Sequence, residues 1–359
     1  MCLEGSRSPL ISPYEKCGVY GCSLVASEVE GSLILLHGPF GCLSQVVEAT
    51  NAQGRSTPYR LSGMGRNEVV FGGEECLKAE LRQTSEFDRG GVTFVVTTCA
   101  PEIIGDDVES VVARTESKDP LMVLSGGFMR DHRAALDDAL RTLVDRFATQ
   151  GRRDPAMVNL VGDIGGSPRW RRDFDELARL LTAAGLRVNP LVKGSTLEDI
   201  KAAADAGLTA LVNPGTGRPA AELLRERFGI PVVAPPLPLG LEATGEWLRA
   251  VAQAAGVDAE PVIEEEEAIV RSHLALGPKN ALWNMKVGFA TGLPVAVVAE
   301  PEAAAAWCRF VAEELGMVPR FVGFRTPPGA VEEEAAGWAS EVGLSRSTAS
   351  GFDVDGAVR

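Results

Sequence analysis

Apolar and polar positions alternate in blocks along most of the chain, and block length separates strands from helices. Short, almost continuous apolar runs lie at Val92–Thr97, Leu121–Leu124, Met157–Val161, Arg187–Leu191, Thr209–Val212, Ile230–Val233 and Leu293–Val298. Such runs predict strands covered on both faces, as in parallel sheets. Between them lie longer amphipathic stretches rich in Ala, Leu, Arg and Glu: His132–Ala148, Arg171–Ala184, Leu197–Ala206, Pro219–Phe228, Ala243–Ala254 and Glu302–Leu315. The alternation predicts α/β domains, doubly wound around parallel sheets.

Breaks in the pattern suggest the units. The polar stretch Gly151–Ala156 interrupts two apolar patterns, and we place a boundary there. The expected organisation is residues 1–150, 151–258 and 259–359. Pro235–Gly240 reads as a rigid turn inside the second unit. The acidic run Glu264–Glu267 reads as a solvated helix face. The tail from Pro327 onward, rich in Gly, Ala, Glu and Ser, is expected to be partly loose. No tandem repeat of 20–50 residues is evident, only repeated strand–helix units.

Composition narrows the functional classes. A length of 359 residues suits two or three domains, and 45% hydrophobic residues supply several cores, which excludes wholesale disorder. The formal net charge of −14 argues against general nucleic-acid binding, which needs basic surface. No apolar run is long enough for a transmembrane helix, and the start MCLEGSRSPLISPYEK lacks an apolar core behind a basic end. The expected compartment is the cytoplasm, with no membrane partner.

The seven cysteines are Cys2, Cys17, Cys22, Cys42, Cys76, Cys99 and Cys308, six of them within the first 99 residues. In a cytoplasmic protein an odd set points to metal binding or buried thiols rather than disulfides. Three stretches stand out: KCGVYGC around Cys17 and Cys22, HGPFGC ending in Cys42, and TTCAPEIIGDD holding Cys99. Cys99 follows an apolar strand, where α/β folds place their sites. Thiolates are the soft ligands of iron–sulfur clusters and zinc. No C-x-x-C pair exists, so a local zinc or ferredoxin motif is excluded, leaving a discontinuous site or ordinary buried thiols beside tight turns. No G-x-x-x-x-G-K-[ST] occurs: LVKGST lacks its glycine spacing, so no ATP site is expected on this chain. GDIGGSP (162–168) lacks the dinucleotide order and reads as a tight turn.

These stretches resemble the nitrogenase component 1 family. That family includes the molybdenum–iron protein subunits, the scaffold that assembles their cofactor, and the dark-operative tetrapyrrole reductases. The resemblance rests on Cys17 followed by Gly21, HGPFGC, VVFGGEECLKAEL (69–81) and TTCAPEIIGDD. LSGGF (124–128), NLVGDIGG (159–166), Gly229-Ile230-Pro231 and PLGLEAT (238–244) follow in order, so it spans roughly residues 14–325. It implies two to three Rossmann-like doubly wound parallel-sheet domains, the last one shortened. It also implies that Cys17, Cys42 and Cys99 bind an iron–sulfur cluster, [4Fe–4S] or larger, at an interface with a homologous or identical subunit. Cys22 is a rival for Cys17. Cys2, Cys76 and Cys308 match no ligand position. His37 is expected to brace the turn, and His132 and His273 to be ordinary surface or turn residues. Electrons would come from a separate ATP-dependent iron–sulfur reductase protein.

Two departures stand out. Where the dinitrogen-reducing α subunit carries a cofactor-holding cysteine, this chain has Asn213, and Ala134 and Ala135 occupy the neighbourhood of its histidine. An α-type catalytic subunit is therefore disfavoured. The expected function is a subunit of a nitrogenase-like reductase. The alternatives are a non-catalytic scaffold for metal-cofactor assembly and a cluster-free α/β binding protein.

Overall fold

In the computed structural model the described residues are 16–51, 54, 57–84, 86, 89–127, 131–162, 164, 169–275 and 291–324. The chain start with Cys2, most of the 162–168 turn and the tail beyond Pro327 lie outside them. Three parallel sheets are present among the described residues. The first has the order β2–β1–β3–β4, built from β1 (Leu33–His37), β2 (Tyr59–Leu61), β3 (Thr93–Thr97) and β4 (Leu121–Ser125). Its register sets His37 beside Thr97 and Thr97 beside Ser125, so three strands end in one row. The second sheet repeats the plan as β6–β5–β7–β8, from β5 (Asp154–Val161), β6 (Arg187–Leu191), β7 (Ala206–Leu211) and β8 (Val232–Val233). The third pairs β9 (Pro294–Ala299) with β10 (Val318–Phe324).

Helices cover the sheets. In chain order they are α1 (Gly18–Glu28), α2 (Phe40–Asn51), α3 (Arg66–Phe71), α4 (Glu74–Thr84), α5 (Cys99–Ile104), α6 (Val108–Ala113) and α7 (His132–Phe147). Then come α8 (Trp170–Ala183), α9 (Leu197–Ala202), α10 (Arg218–Phe228), α11 (Leu241–Ala255), α12 (Glu260–Ala275) and α13 (Pro301–Arg309), which runs on as a wider π turn to Glu314. Local signals set several starts. Asp131 accepts from the Arg133 and Ala134 amides at the head of α7, and Thr196 and Asp199 form a capping box on α9.

The first two sheets share one core. Val25, Ile34, Phe94 and Leu140 belong to the same buried cluster as Val161, Leu211, Leu224 and Ile230. Helices α1 and α7 are the middle of it, with α7 also packed on α9 and α10. The far face of the first sheet is closed by Leu77 and Leu81 of α4 and Val108 and Val111 of α6. The far face of the second is closed by α8, α11 and α12, where the Trp247 indole N–H donates to the Leu211 carbonyl at 3.0 Å. The second sheet carries a buried polar ladder: Asn189 donates to Asn159 at 2.8 Å, and Asn159 to the Ala203 carbonyl at 2.8 Å and to Thr209.

Several elements differ from the expectation. Helix α1 has no polar side, because every residue from Gly18 to Glu28 is buried. No 3.6-residue periodicity can mark such a helix. Strands β1, β2 and β10 and helices α2–α6 also go beyond what the apolar pattern predicts. The stretch 197–206 ends its helix at Ala202 and tightens into a 3₁₀ turn to Asp205. The acidic run does sit on a helix, α12, with Glu264 and Glu265 exposed and Glu266 and Glu267 paired with Arg179 and Arg271.

Two charged contacts tie the units together. Glu28, 1% exposed at the end of α1, grips the Arg171 guanidinium at the head of α8 in a two-pronged pair, one prong 2.6 Å long. Arg133 of α7 reaches Glu300, at 3.1 Å, and Glu302 at the head of α13. Asp137 of α7 accepts from the Gly217 amide at 2.7 Å, where α10 begins, and burial pushes its pKa up to about 6.

Glu28→Gln removes the negative charge of this largely buried pair and is expected to cost about 3 kcal/mol in chemical denaturation, because Arg171 loses its counter-charge. Asp137 holds its proton more tightly folded than unfolded. Its stabilisation is therefore complete below pH ~4 and lost as pH rises through 6, up to about 3 kcal/mol in all. Asp137→Asn should remove that loss, so the stability difference between variant and wild type grows in the variant's favour from pH 4 to pH 7. A difference that stays level across this window refutes the assignment.

Candidate functional site

The chain leaves β1 toward β2 on one side and later adds β3 on the other, so a crevice opens between the carboxyl ends of β1 and β3. His37 ends β1, Gly38 and Pro39 turn the chain, and α2 begins at Phe40, with Cys42 its third residue. Thr98 follows β3 and caps α5, whose first residue is Cys99. Cys17 caps α1 and pairs backbone-to-backbone with Asp131 ahead of α7. All three thiols thus sit at helix starts, where amide N–H groups point outward.

Close approach explains the small residues. A side chain at Gly38 would overlap Thr98, and the Thr98 amide donates to the His37 carbonyl at 3.1 Å, which binds the two strand-end loops together. A side chain at Gly21 would overlap the His132 carbonyl, so glycine lets α1 press its backbone on α7. His37 is wholly buried between Ser62, 2.9 Å from Nδ1, and Asp106, 3.1 Å from Nε2. The Ser62 hydroxyl accepts from the Gly38 amide at 3.1 Å, which leaves its own proton for Nδ1 and places the ring proton on Nε2, donated to Asp106. Burial lowers the His37 pKa against the opposing pull of Asp106, in keeping with a neutral ring. Asp106 also accepts from the Gly73 amide at 3.0 Å, so the turn, the segment after β2 and the α3–α4 junction form one network. The expectation that His37 braces the turn matches this geometry.

The three thiols share a neighbourhood. Burial raises the Cys42 pKa first, then the charges of Cys17 and Cys99. Burial likewise raises Cys99, followed by Cys17 and by Glu102 one turn further along α5. Cys17 is exposed, and Cys42 and Cys99 are half-buried. Among the described residues no group of three His, Cys, Asp or Glu is gathered tightly enough for a single metal ion. The mutual influence of the three thiols puts Cys17, Cys42 and Cys99 in one neighbourhood. On the helices that carry Cys42 and Cys99, Phe40 and Ile103 are 70% and 64% exposed, and on α3, which packs on α5, Val70 and Phe71 are 69% and 86% exposed.

Other candidates lie elsewhere. Cys22 is 1% exposed, its thiol directed at the Ser125 and Ala135 carbonyls between β4 and α7. Cys308 is in the third unit's core, where burial pushes its pKa up to about 11, and Cys76 is half-buried on α4. His132, the first residue of α7 after the Asp131 cap, is half-buried, its ring 6.1 Å from that of Tyr20. His273 is exposed on α12. Asn213 is buried after β7, its carbonyl oxygen accepting from the Gly215 amide at 2.8 Å. Sequence reasoning did not single out Glu102 or Asp106. The spacing of Glu102, three past Cys99 on a short helix, was the available signal. No helix among the described residues is long and apolar enough to cross a membrane.

A Rossmann-like α/β chain with cysteines at its switch-point crevice has known counterparts. The chain belongs to the nitrogenase component 1 type oxidoreductase family, whose model matches residues 17–348. It is 29% identical over 276 residues to a light-independent protochlorophyllide reductase subunit from Heliobacterium modesticaldum, covering 75% of this chain and 51% of that protein. It is 25% identical over 356 residues to the nitrogenase molybdenum-iron protein beta chain of Methanococcus maripaludis, covering 89% of this chain and 74% of that one. The chain thus spans about half the length of the first relative and three quarters of the second. Among solved structures, "Nitrogenase Cp1 at pH 6.5" superposes with a TM-score of 0.79 at 20% identity, covering 95% of this chain and 77% of that chain, a likeness of fold.

Asp106→Ala removes the acceptor of both His37 and the Gly73 amide. Hydrogen bonds to a charged group are worth about 1.5–3 kcal/mol, so amide exchange at Gly73 should quicken roughly tenfold or more. Unchanged exchange there would show that Asp106 does not hold the α3–α4 junction.

Proposed function

We propose that the chain is a cytoplasmic subunit of a nitrogenase-like reductase and holds an iron–sulfur cluster, a cubane or a larger one, on Cys17, Cys42 and Cys99. The cluster lies at a seam with a homologous or identical subunit, and electrons arrive from a separate ATP-dependent iron–sulfur reductase protein. The observation that supports this reading is the mutual electrostatic influence of Cys17, Cys42 and Cys99, from distant segments at helix starts, together with exposed apolar residues on the same helices and on α3. Exposed apolar residues of this kind favour coverage by another protein surface. Cys17 is preferred over Cys22, whose thiol is spent on carbonyls inside the core.

When bound, a cluster of this kind takes up and passes on single electrons. The chain's own residues prepare the place for it. At the start of α5 a backbone hydrogen bond to the Cys99 sulfur favours its thiolate. The His37–Asp106 network sets the Cys42 turn, and the Phe40, Phe71 and Ile103 side chains exclude water when a partner covers them. Asn213 in place of a thiolate supports a β-type, scaffold-type or tetrapyrrole-reductase-type subunit over an α-type one.

Anaerobic purification with iron and sulfide analysis tests the reading. Wild type should carry both. Cys42→Ala or Cys99→Ala should lose most of the iron and weaken the subunit pair, while Cys22→Ala keeps the iron. Iron-free wild type, or full iron in the Cys42 and Cys99 variants, refutes it. Turnover with a cognate reductase and ATP then separates a reductase subunit from an assembly scaffold.

A further inference from the structure

Glu102 is built into the thiol crevice from three sides. It lies three residues after Cys99 on α5, a spacing that puts both side chains on one face of the helix. Its carboxylate accepts from the Thr97 hydroxyl, at the end of β3, and from the Ser125 hydroxyl, at the end of β4, at 2.8 Å. The register that sets Thr97 beside Ser125 therefore supplies two donors to one carboxylate. Below it, the Gly127 backbone comes so close that any side chain there would fall on the carboxylate. Beside it opens a cleft lined by Thr97, Pro101, Asp106, Glu109 and Ser125. Nothing in the turn chemistry of TTCAPEIIGDD needs an acidic residue held this way. The hydroxyl pair and the glycine fit a negative charge kept at a set place beside Cys99.

We infer that Glu102 is a positioning residue: its clamped carboxylate sets the reduction potential of the cluster that Cys99 binds, keeping it low. This rests on the proposed cluster site. Electron uptake adds one negative charge to the cluster, and a carboxylate one helical turn from a ligand opposes that charge across a partly buried space. The electron comes from a one-electron iron–sulfur reductant, and dithionite replaces it in the test.

The test is an anaerobic redox titration of the full chain as purified, followed by the cluster's spectrum, with iron measured on the same samples. Glu102→Gln, of nearly the same shape, should keep wild-type iron and make the cluster about tenfold easier to reduce, a rise of ~59 mV for one electron. Glu102→Met, neutral and of similar length, should shift it the same way, and Glu102→Asp, which keeps the charge, should stay near wild type. A merely structural role would lower iron content without an ordered shift in potential. Normal iron with an unmoved potential in both neutral variants overturns the inference while the cluster reading stands. Iron-free wild type overturns the cluster reading, and this inference falls with it.

Discussion

The backbone contact between α1 and α7 at Gly21 is the constraint from which the rest is built. With no Cβ at that position, α1 lies against the carbonyl of His132 and is enclosed on every side. Its first turn then sets Cys17 beside Asp131, and its last turn sets Glu28 against Arg171 of the next unit. Helix α7 carries the arrangement onward, through Asp137 to the head of α10 and through Arg133 to the head of α13. One close helix pair thus couples the position of a cysteine to the relation between the sheets.

At the crevice, opposing electrostatic effects meet. Burial and mutual repulsion hold protons on Cys42 and Cys99, whereas the backbone hydrogen bond at the start of α5 works the other way. Iron bound as proposed would reverse the repulsion that thiolates alone would suffer. The exposed apolar side chains on the helices of Cys42 and Cys99 and on α3 belong to the same logic, since a dry surround strengthens every charge interaction within it.

Much of the fold could be read from the sequence, and the exceptions share physical causes. Strands β3 to β9 stand out as apolar runs, and α7, α8, α10 and α11 show a clear polar side. Helix α1 gives no such signal because it has no wet face. Helices α3, α5 and α6 are six residues each, too short for a periodic pattern. The cysteines were visible as residue types beside turns, but the placing of Cys42 and Cys99 depends on the register of β1 and β3, and that of Cys17 on α1. The pairing of His37 with Asp106, 69 positions apart, depends on the same register.

The polar ladder of the second sheet has a consequence for how the two sheets tolerate change. In the first sheet, β1 and β3 are buried along their whole length and dominated by apolar side chains, so one such residue can replace another at the cost of repacking. In the second, Asn159, Asn189 and Thr209 interlock across three strands, and sliding any one of them would leave an amide buried without an acceptor. The second sheet is therefore keyed like a lock with a single alignment, and drift in its sequence has to preserve that key while its apolar surroundings vary.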